Sequence, residues 1–141
     1  MEYKQLGNTD IEISVFALGC WPFAGGAVWG EQDDGDSVAA VHAALDAGIT
    51  FFDTAEGYGA GKSEQVLGEG LTGRRNEAIV ATKISGGNLA PRDVETACDR
   101  SLNFLGTDYI DLYQIHWPNH GIPIEDSWEA LNRLVEKGKV R

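Results

Sequence analysis

The sequence has 141 residues, 43% of them hydrophobic, and a formal net charge of −11. This length suits one domain with a substantial core. The excess of acidic residues argues against sequence-independent binding to nucleic acid or to an anionic membrane. No stretch is apolar for long enough to cross a bilayer, and no basic segment followed by an apolar run opens the chain. We therefore expect a cytoplasmic protein with neither a membrane nor a nucleic-acid partner.

The residues that could bind a metal are not spaced for it. Cys20 and Cys98 show neither a disulfide framework nor metal-ligand spacing, so we expect free thiols in a reducing compartment. The acidic stretch 31–36 lacks the spacing of a calcium loop and is predicted to be a solvated loop. A metal hydrolase built on His116 and His120 is disfavoured, because Trp-Pro-Asn between them interrupts any shared helical face. We expect no metal.

The chain begins with a predicted β-hairpin. Residues 1–12 contain Gly-Asn-Thr-Asp between two short candidate strands, which is typical of a tight turn. Four apolar runs follow along the chain, nearly continuous rather than alternating, as expected of strands that are covered on both faces. These runs cover residues 13–20, 49–54, 78–84 and 109–116.

An amphipathic helix is predicted after each of these strands. The first covers residues 37–47, the second begins near Ser63 as its cap, and the third has Pro91 in its first turn. The fourth follows Pro123, and glycines stand where the helices should end. The fourth helix carries an apolar stripe of Trp128, Leu131, Leu134 and Val135.

Strands thus recur about every thirty residues, the length of a βα unit. This order predicts an α/β fold in which parallel strands are joined by right-handed crossovers. An open doubly wound sheet could stop at four units, whereas a closed barrel needs eight. Residues 139–141 stand where a fifth strand would begin. The chain is therefore predicted to be a single domain that is interrupted at residue 141, and the order of its elements leaves both architectures open.

Polar side chains follow three successive strands at the point where each strand ends. Asp53 follows the second strand, Lys83 the third and His116 the fourth, and Tyr58 lies in the loop after Asp53. Parallel α/β folds place their active sites at this edge of the sheet. Each residue alone has a commoner structural role, but their joint placement favours a functional site.

These four residue types suit proton donation to a carbonyl group that receives a hydride. An ammonium at the end of an apolar strand needs a partner, which Asp53 could supply to Lys83. A lysine cation close to a phenol favours the phenolate, and a tyrosine tuned in this way can donate a proton near neutral pH. A nearby imidazole can orient the oxygen that accepts the proton.

The sequence around these positions resembles the aldo-keto reductase family over the whole chain. The run FDTAEGYG at 52–59, followed by Ser-Glu at 63–64, is similar to the family's signature around its catalytic aspartate and tyrosine. ATK at 81–83 resembles the lysine strand, and DYIDLYQIHW at 108–117 the histidine strand. Leu-Gly at 6–7, Ala-Leu-Gly at 17–19 and GKVR at 138–141 also match.

The resemblance implies a (β/α)8 TIM-type barrel, of which residues 1–141 would form a single partial domain, a half-barrel that continues past residue 141 in a full-length family member. It also implies NADPH-dependent reduction of an aldehyde or ketone, the small-molecule partner. By position, Tyr58 would be the proton donor and Lys83 the cation that favours its phenolate. Asp53 would pair with Lys83, and His116 would orient the substrate carbonyl.

The resemblance also implies which residues contact the cofactor and the substrate. Gly19, Cys20, Trp21 and Asp53 correspond to the nicotinamide side of the cofactor site. The candidates for the apolar pocket wall, which core packing would also explain, are Trp21, Phe23, Trp29 and Trp117. The family's later strands supply most contacts to the pyrophosphate and to the adenosine 2′-phosphate. Because four units do not include them, we expect little or no turnover by the chain alone.

Two alternatives remain open from the sequence. The run GYGAGKS at 57–63 follows a strand and opens a helix, as a phosphate-binding P-loop does. Only three residues separate its outer glycines where four are needed, so we interpret the match as a coincidence. The other alternative is an inactive half-barrel whose open edges and uncovered interior promote self-association, giving a homo-oligomer.

Overall fold

The computed structural model describes all residues from Met1 to Arg141. The chain opens with an antiparallel hairpin of β1 (Tyr3–Gln5) and β2 (Glu12–Ser14). A second sheet has four parallel strands in the order of the chain. Its strands are β3 (Ala17–Gly19), β4 (Phe51–Asp53), β5 (Ile79–Ile84) and β6 (Leu112–Ile115). The predicted hairpin and the predicted parallel α/β sheet are both confirmed.

A long helix follows each strand of the parallel sheet, which confirms the four predicted βα units. The helices are α1 (Gly26–Trp29), α2 (Asp34–Asp46), α3 (Lys62–Gly70), α4 (Pro91–Leu105) and α5 (Ile124–Glu136). Short 3₁₀ turns occupy Trp21–Ala24, Arg75–Glu77 and Gly86–Asn88. Each of the long helices from α2 onward packs on the next along the chain. None of the helices is both long enough and apolar enough to pass through a bilayer.

The hydrophobic core lies between the parallel sheet and its helices. Phe52, Val80 and Ile84 point from the strands into this layer and are fully buried. On the other face of the sheet, Phe51 and Ile79 pair in register and are only partly buried. The backbone of residues 139–141 pairs in parallel with Ile110, where the sequence predicts a fifth strand to begin.

The run 13–20 forms two strands, and the prediction of one continuous strand is wrong. Ile13 pairs with Lys4 in the hairpin, and the chain then turns before β3. The Ser14 hydroxyl makes this turn, because it donates to the Phe16 carbonyl at 2.6 Å and accepts the Thr50 amide at 3.0 Å. A polar side chain inside the apolar run therefore ends one sheet and begins the other.

Two helix starts also differ from those predicted. The acidic stretch is not a loop throughout, because α2 begins at Asp34 and the Asp33 carboxylate caps it by accepting the Asp36 amide at 3.0 Å. Acidic residues in a first turn interact favourably with the helix dipole. Ser63 does not cap α3; it lies inside that helix, and Gly61 is the cap residue.

The apolar stripe predicted on the last helix is only half buried. Leu131 and Leu134 belong to the core, whereas Trp128 and Val135 are 59% and 48% exposed. Ile124, on the same helix, is also exposed. The outer half of the stripe is therefore exposed, because no other part of the chain packs on that side of α5.

Glu64 is a fully buried carboxyl group between α3 and β5. The Thr82 hydroxyl donates to its Oε1 at 2.6 Å, whereas Oε2 has no hydrogen-bond partner. Burial raises the pKa of Glu64 above its ordinary value of 4.5, although the Thr82 hydrogen bond opposes this. The folded chain therefore keeps this proton to a higher pH than the unfolded chain does.

Because of that proton, the free energy of unfolding should fall as the pH rises from about 4.5 through the folded-state pKa of Glu64. We expect Glu64→Gln to lose this part of the pH dependence, as measured by urea unfolding at a series of pH values. Glu69→Gln, at an exposed position of the same helix, should keep the wild-type slope. Equal slopes for wild type and Glu64→Gln would contradict the prediction.

Candidate active site

The ends of the parallel strands bring the predicted lysine and aspartate together. Asp53 is the last residue of β4, and Lys83 lies near the end of the neighbouring β5. The Lys83 Nζ donates to the Asp53 Oδ1 at 2.6 Å and to the Thr54 carbonyl at 2.7 Å. The lysine side chain is 14% exposed, so these two acceptors compensate for its loss of water.

Tyr58 and His116 complete the cluster around the lysine. The Lys83 Nζ is 5.2 Å from the centre of the Tyr58 ring, and the His116 ring meets the Tyr58 ring edge-on at 5.4 Å. Gly59, Ala60 and Gly61, which connect Tyr58 to α3, all have positive φ angles. This left-handed stretch costs glycine little and reverses the chain immediately before α3.

His116 directly follows the last residue of β6, and its backbone amide donates to the Ile84 carbonyl at 2.9 Å. This bond fixes the backbone from which the imidazole extends. Burial lowers the pKa of His116 and the Lys83 ammonium lowers it further, while Asp53 and Glu56 act in the opposite direction. The ring is therefore neutral at neutral pH. A neutral imidazole has one N–H to donate, so it can hydrogen-bond to a carbonyl oxygen.

Aromatic side chains form the walls of an open cleft above the cluster. The Trp21 ring stacks on Tyr58 with centroids 5.6 Å apart, and Trp117 stacks on His116 at 5.7 Å. The cleft has a volume of about 480 Å³ and suits a small ligand. Its lining residues are Trp21, Gly57, Tyr58, Ser85, His116 and Trp117.

Not all predicted contact residues reach this cleft. Cys20 is fully buried, its amide donates to the Asp53 carbonyl at 2.8 Å, and its own carbonyl accepts the Ser63 hydroxyl. Burial raises the pKa of the Cys20 thiol well above its usual range. Cys20 is therefore a core residue that offers a cofactor no free group.

Phe23 is also placed in the core, at 7% exposure, and does not line the cleft as predicted for a pocket residue. Trp29 meets Trp21 edge-on at 5.4 Å and so supports the cleft wall from outside rather than lining it. Gly19 is exposed and pairs in register with Asp53, beside the cluster. Of the four predicted pocket aromatics, the structure thus brings two to the cleft.

The geometry of the glycine-rich loop disfavours phosphate binding. The Ser63 hydroxyl is buried, donates to the Cys20 carbonyl at 2.6 Å and lies 2.9 Å from the Thr54 hydroxyl. A P-loop needs this hydroxyl for Mg²⁺. Lys62 forms an ion pair with Asp34 rather than facing the loop. No group of three or more His, Cys, Asp or Glu side chains is arranged to hold a metal ion.

Glu56 and Ser85 adjoin the cluster, and the sequence patterns did not indicate either of them. Ser85 lines the cleft, and the buried Glu56 carboxylate accepts its amide at 2.6 Å. The available signal was the position of Glu56, a charged residue between Asp53 and Tyr58 in an otherwise apolar and glycine-rich run. Its partners could not be foreseen, because they lie about thirty or more residues further along the chain.

Comparison with known families identifies the class. A family model described as "Aldo/keto reductase family" matches residues 16–141. The chain therefore belongs to the aldo-keto reductase family, and the resemblance drawn from the sequence motifs is confirmed. Its α/β fold corresponds to the first four units of the TIM-type barrel.

Individual relatives agree with this assignment. Aldo-keto reductase YhdN of Bacillus subtilis is 42% identical over 100% of this chain and 45% of its own length. Methylglyoxal reductase YeaE of Escherichia coli is 36% identical over 94% of this chain and 45% of its own.

Solved structures agree as well. A thermostable aldo-keto reductase in complex with the inhibitor epalrestat superposes with a TM-score of 0.92 and 36% identity, over 100% of this chain and 52% of that one. An aldo-keto reductase of Klebsiella pneumoniae in complex with NADPH has a TM-score of 0.85 and 34% identity, over 92% of this chain and 44% of that one. The chain thus spans about half the length of the relatives it matches.

Proposed function

We propose that this chain carries the proton-donating part of an NADPH-dependent carbonyl reductase, with Asp53, Tyr58, Lys83 and His116 as catalytic residues. The observation that carries the proposal is the position of the Lys83 ammonium, which is bonded to Asp53 and lies 5.2 Å from the Tyr58 ring. The His116 ring contacts the same phenol edge-on at 5.4 Å. A phenol and an imidazole that line one open cleft, with a cation beside the phenol, suit protonation of a carbonyl oxygen.

In this mechanism Tyr58 donates its hydroxyl proton to the substrate oxygen as negative charge develops there. The Lys83 ammonium stabilises the resulting phenolate, and Asp53 holds the ammonium in place. The neutral His116 ring donates a hydrogen bond to the same substrate oxygen and orients it. NADPH, when bound, supplies the hydride.

The exposed surface beside the cluster fits the nicotinamide end of such a cofactor. A Cβ added at Gly19 would meet nothing within 4 Å, so the space in front of this strand end is open. The neighbouring Asp53 side chain is 38% exposed and can be reached from that space. Gly19, Asp53 and Trp21 would therefore hold the nicotinamide side.

The relatives support the choice of cofactor and substrate class. The Klebsiella pneumoniae relative is described in complex with NADPH, and one Escherichia coli relative is called a methylglyoxal reductase. Another Escherichia coli relative is called an NADH-specific methylglyoxal reductase, so both nicotinamide cofactors belong in an assay. We propose a small aldehyde or ketone as substrate. A cytoplasmic location is proposed because both cysteines are free.

The test uses the chain alone and a chimera, in which Arg141 is joined to the carboxyl-terminal half of the Bacillus subtilis relative. We expect the chimera to oxidise NADPH in the presence of methylglyoxal. We expect little or no oxidation by the chain alone, because four βα units supply only part of the cofactor site. NADPH titration followed by fluorescence, together with the rate of NADPH oxidation, measures both.

The proposed activity and the proposed partial domain are contradicted by different results. A folded chimera that binds NADPH but reduces no carbonyl compound would contradict the proposed activity. Robust Tyr58-dependent NADPH oxidation by the chain alone would contradict the proposal that residues 1–141 are a partial domain.

A second candidate is association of the isolated half-barrel, which the exposed apolar residues of α5 favour. Ile124, Trp128 and Val135 are each about half exposed or more, and an apolar patch of this kind promotes contact between chains. Sedimentation at micromolar concentration distinguishes the candidates. A monodisperse monomer would rule out the homo-oligomer.

A further inference from the structure

Glu56 is a buried carboxylate with donors on two other elements. Its Oε1 accepts the Ser85 amide at 2.6 Å and the Asn88 side-chain amide at 2.8 Å, and its Oε2 accepts the Arg100 guanidinium at 2.6 Å. The carboxylate side chain is only 4% exposed. Ser85 and Asn88 belong to the loop after β5, and Arg100 belongs to α4.

These donors keep the carboxylate charged. Burial acts to raise the pKa of Glu56, but the hydrogen bonds from Ser85, Asn88 and Arg100 outweigh burial and hold the pKa below its usual value. Hydrogen bonds to an ionised acceptor are shorter and stronger than neutral ones. Glu56 is thus ionised at neutral pH and fixed by three charge-assisted bonds.

The same residue is connected to the catalytic cluster through its own chain. Glu56 lies two residues before Tyr58, and its backbone amide donates to the Lys83 carbonyl at 3.3 Å. Ser85, which gives its amide to the carboxylate, lines the cleft. The loop that carries Tyr58 and the loop that carries Ser85 are therefore joined at one buried group.

An ion pair that only anchored helix α4 would need no donor besides Arg100. The two amide donors lie instead on the loop at the edge of the cleft, and Ser85 is the shorter of these two contacts. We infer that Glu56 is a positioning residue, whose carboxylate locks the Tyr58 loop onto the Ser85 loop and so fixes the phenol relative to the cleft. Its bearing on catalysis rests on the function proposed above, but the locking itself does not.

The decisive variant is Glu56→Gln in the 141-residue chain, followed by NMR. In the wild type we expect the Ser85 amide proton to resonate far downfield and to exchange slowly with solvent. In Glu56→Gln it should move upfield and exchange faster, because a neutral amide oxygen is a weaker acceptor.

A second NMR readout is the titration of the His116 ring. The charged groups that act on this ring are Lys83, Asp53 and Glu56. Glu56 raises the pKa of His116, so removal of its charge should move the titration to lower pH. Glu77→Gln is the matched control, because Glu77 also pairs with an arginine but lies at an exposed site away from the cleft. It should change neither the Ser85 amide nor the His116 titration.

The variant Arg100→Gln distinguishes a positioning role of Glu56 at the cleft from simple anchoring of α4. It leaves Glu56 bonded to Ser85 and Asn88, so the Ser85 amide should stay downfield. In the chimera, Glu56→Gln should lower kcat by about 10- to 100-fold, with the KM for NADPH little changed, whereas Arg100→Gln should change kcat much less. If Arg100→Gln reproduced every effect of Glu56→Gln, or if Glu56→Gln left the Ser85 amide and the His116 titration unchanged, the inference would be overturned.

If Glu56→Gln does not fold, Asn88→Ala decides, because it removes one donor at the cleft edge. A shifted Ser85 amide with a lower kcat supports positioning, and an unchanged amide overturns it. If the NMR changes occur but the wild-type chimera reduces no carbonyl compound, the positioning role stands and only the proposed function fails.

Discussion

Replacement of Tyr58 by phenylalanine is expected to lower kcat of the chimera for carbonyl reduction by about 10²–10⁴-fold, the usual contribution of a positioned proton donor. The ring would keep its stacking on Trp21 and its edge contact with His116, since both involve the ring rather than the hydroxyl. The fold and the affinity for NADPH should therefore be unchanged. Steady-state kinetics and NADPH titration measure the two effects separately.

Tyr113→Phe is the matched control for this change. The Tyr113 hydroxyl is buried among the helices and has no hydrogen-bond partner, so its removal should leave kcat unchanged and the free energy of unfolding unchanged or slightly higher. If Tyr58→Phe retained the wild-type kcat, or if both variants lost activity equally, Tyr58 would not be the proton donor.

Lys83→Met should lower kcat of the chimera by a similar factor of about 10²–10⁴, because no cation would then stabilise the phenolate. Unlike Tyr58→Phe, it should also destabilise the fold by about 1–3 kcal/mol. The Asp53 carboxylate and the Thr54 carbonyl would both lose their donor. Urea unfolding of the 141-residue chain measures the second effect without any need for turnover.

The combination of both substitutions gives a sharper test. Residues that act as one unit have strongly non-additive effects, so the double variant Tyr58→Phe, Lys83→Met should be hardly slower than either single variant. Lys137→Met, which removes an exposed ion pair with Glu95, should change kcat little and stability by less than about 1 kcal/mol. Fully additive losses in the double variant would show that the two residues act independently.

Sequence alone was sufficient for the order of the elements and for the four candidate catalytic residues. The apolar runs and the helical stripes are local patterns, and each βα unit recurs at a regular length. Asp53, Lys83 and His116 could be found because parallel strands end at one edge of a sheet, which brings together residues distant in sequence. Their common edge follows from topology, and topology follows from the order of the units.

The sequence did not predict which side chains after β3 point into the core and which face the cleft. Cys20 and Trp21 are adjacent in the sequence, but Cys20 is fully buried in the core and Trp21 is 45% exposed at the cleft. Phe23, in the same 3₁₀ turn as Trp21, is buried again. No periodicity applies to so short a turn, so only its packing on α3 decides which of these residues faces a ligand.

The tertiary structure also decided the roles of Ser63 and Glu56. Each looks like an ordinary loop or cap residue, but the partners of Ser63 lie at Cys20 and Thr54 and those of Glu56 at Ser85, Asn88 and Arg100. A buried polar group must find hydrogen-bond partners wherever the fold provides them, and sequence patterns do not encode such distant contacts. The sequence thus determined where the proposed catalytic cluster of Asp53, Tyr58, Lys83 and His116 would form, and long-range packing decided what holds it in shape.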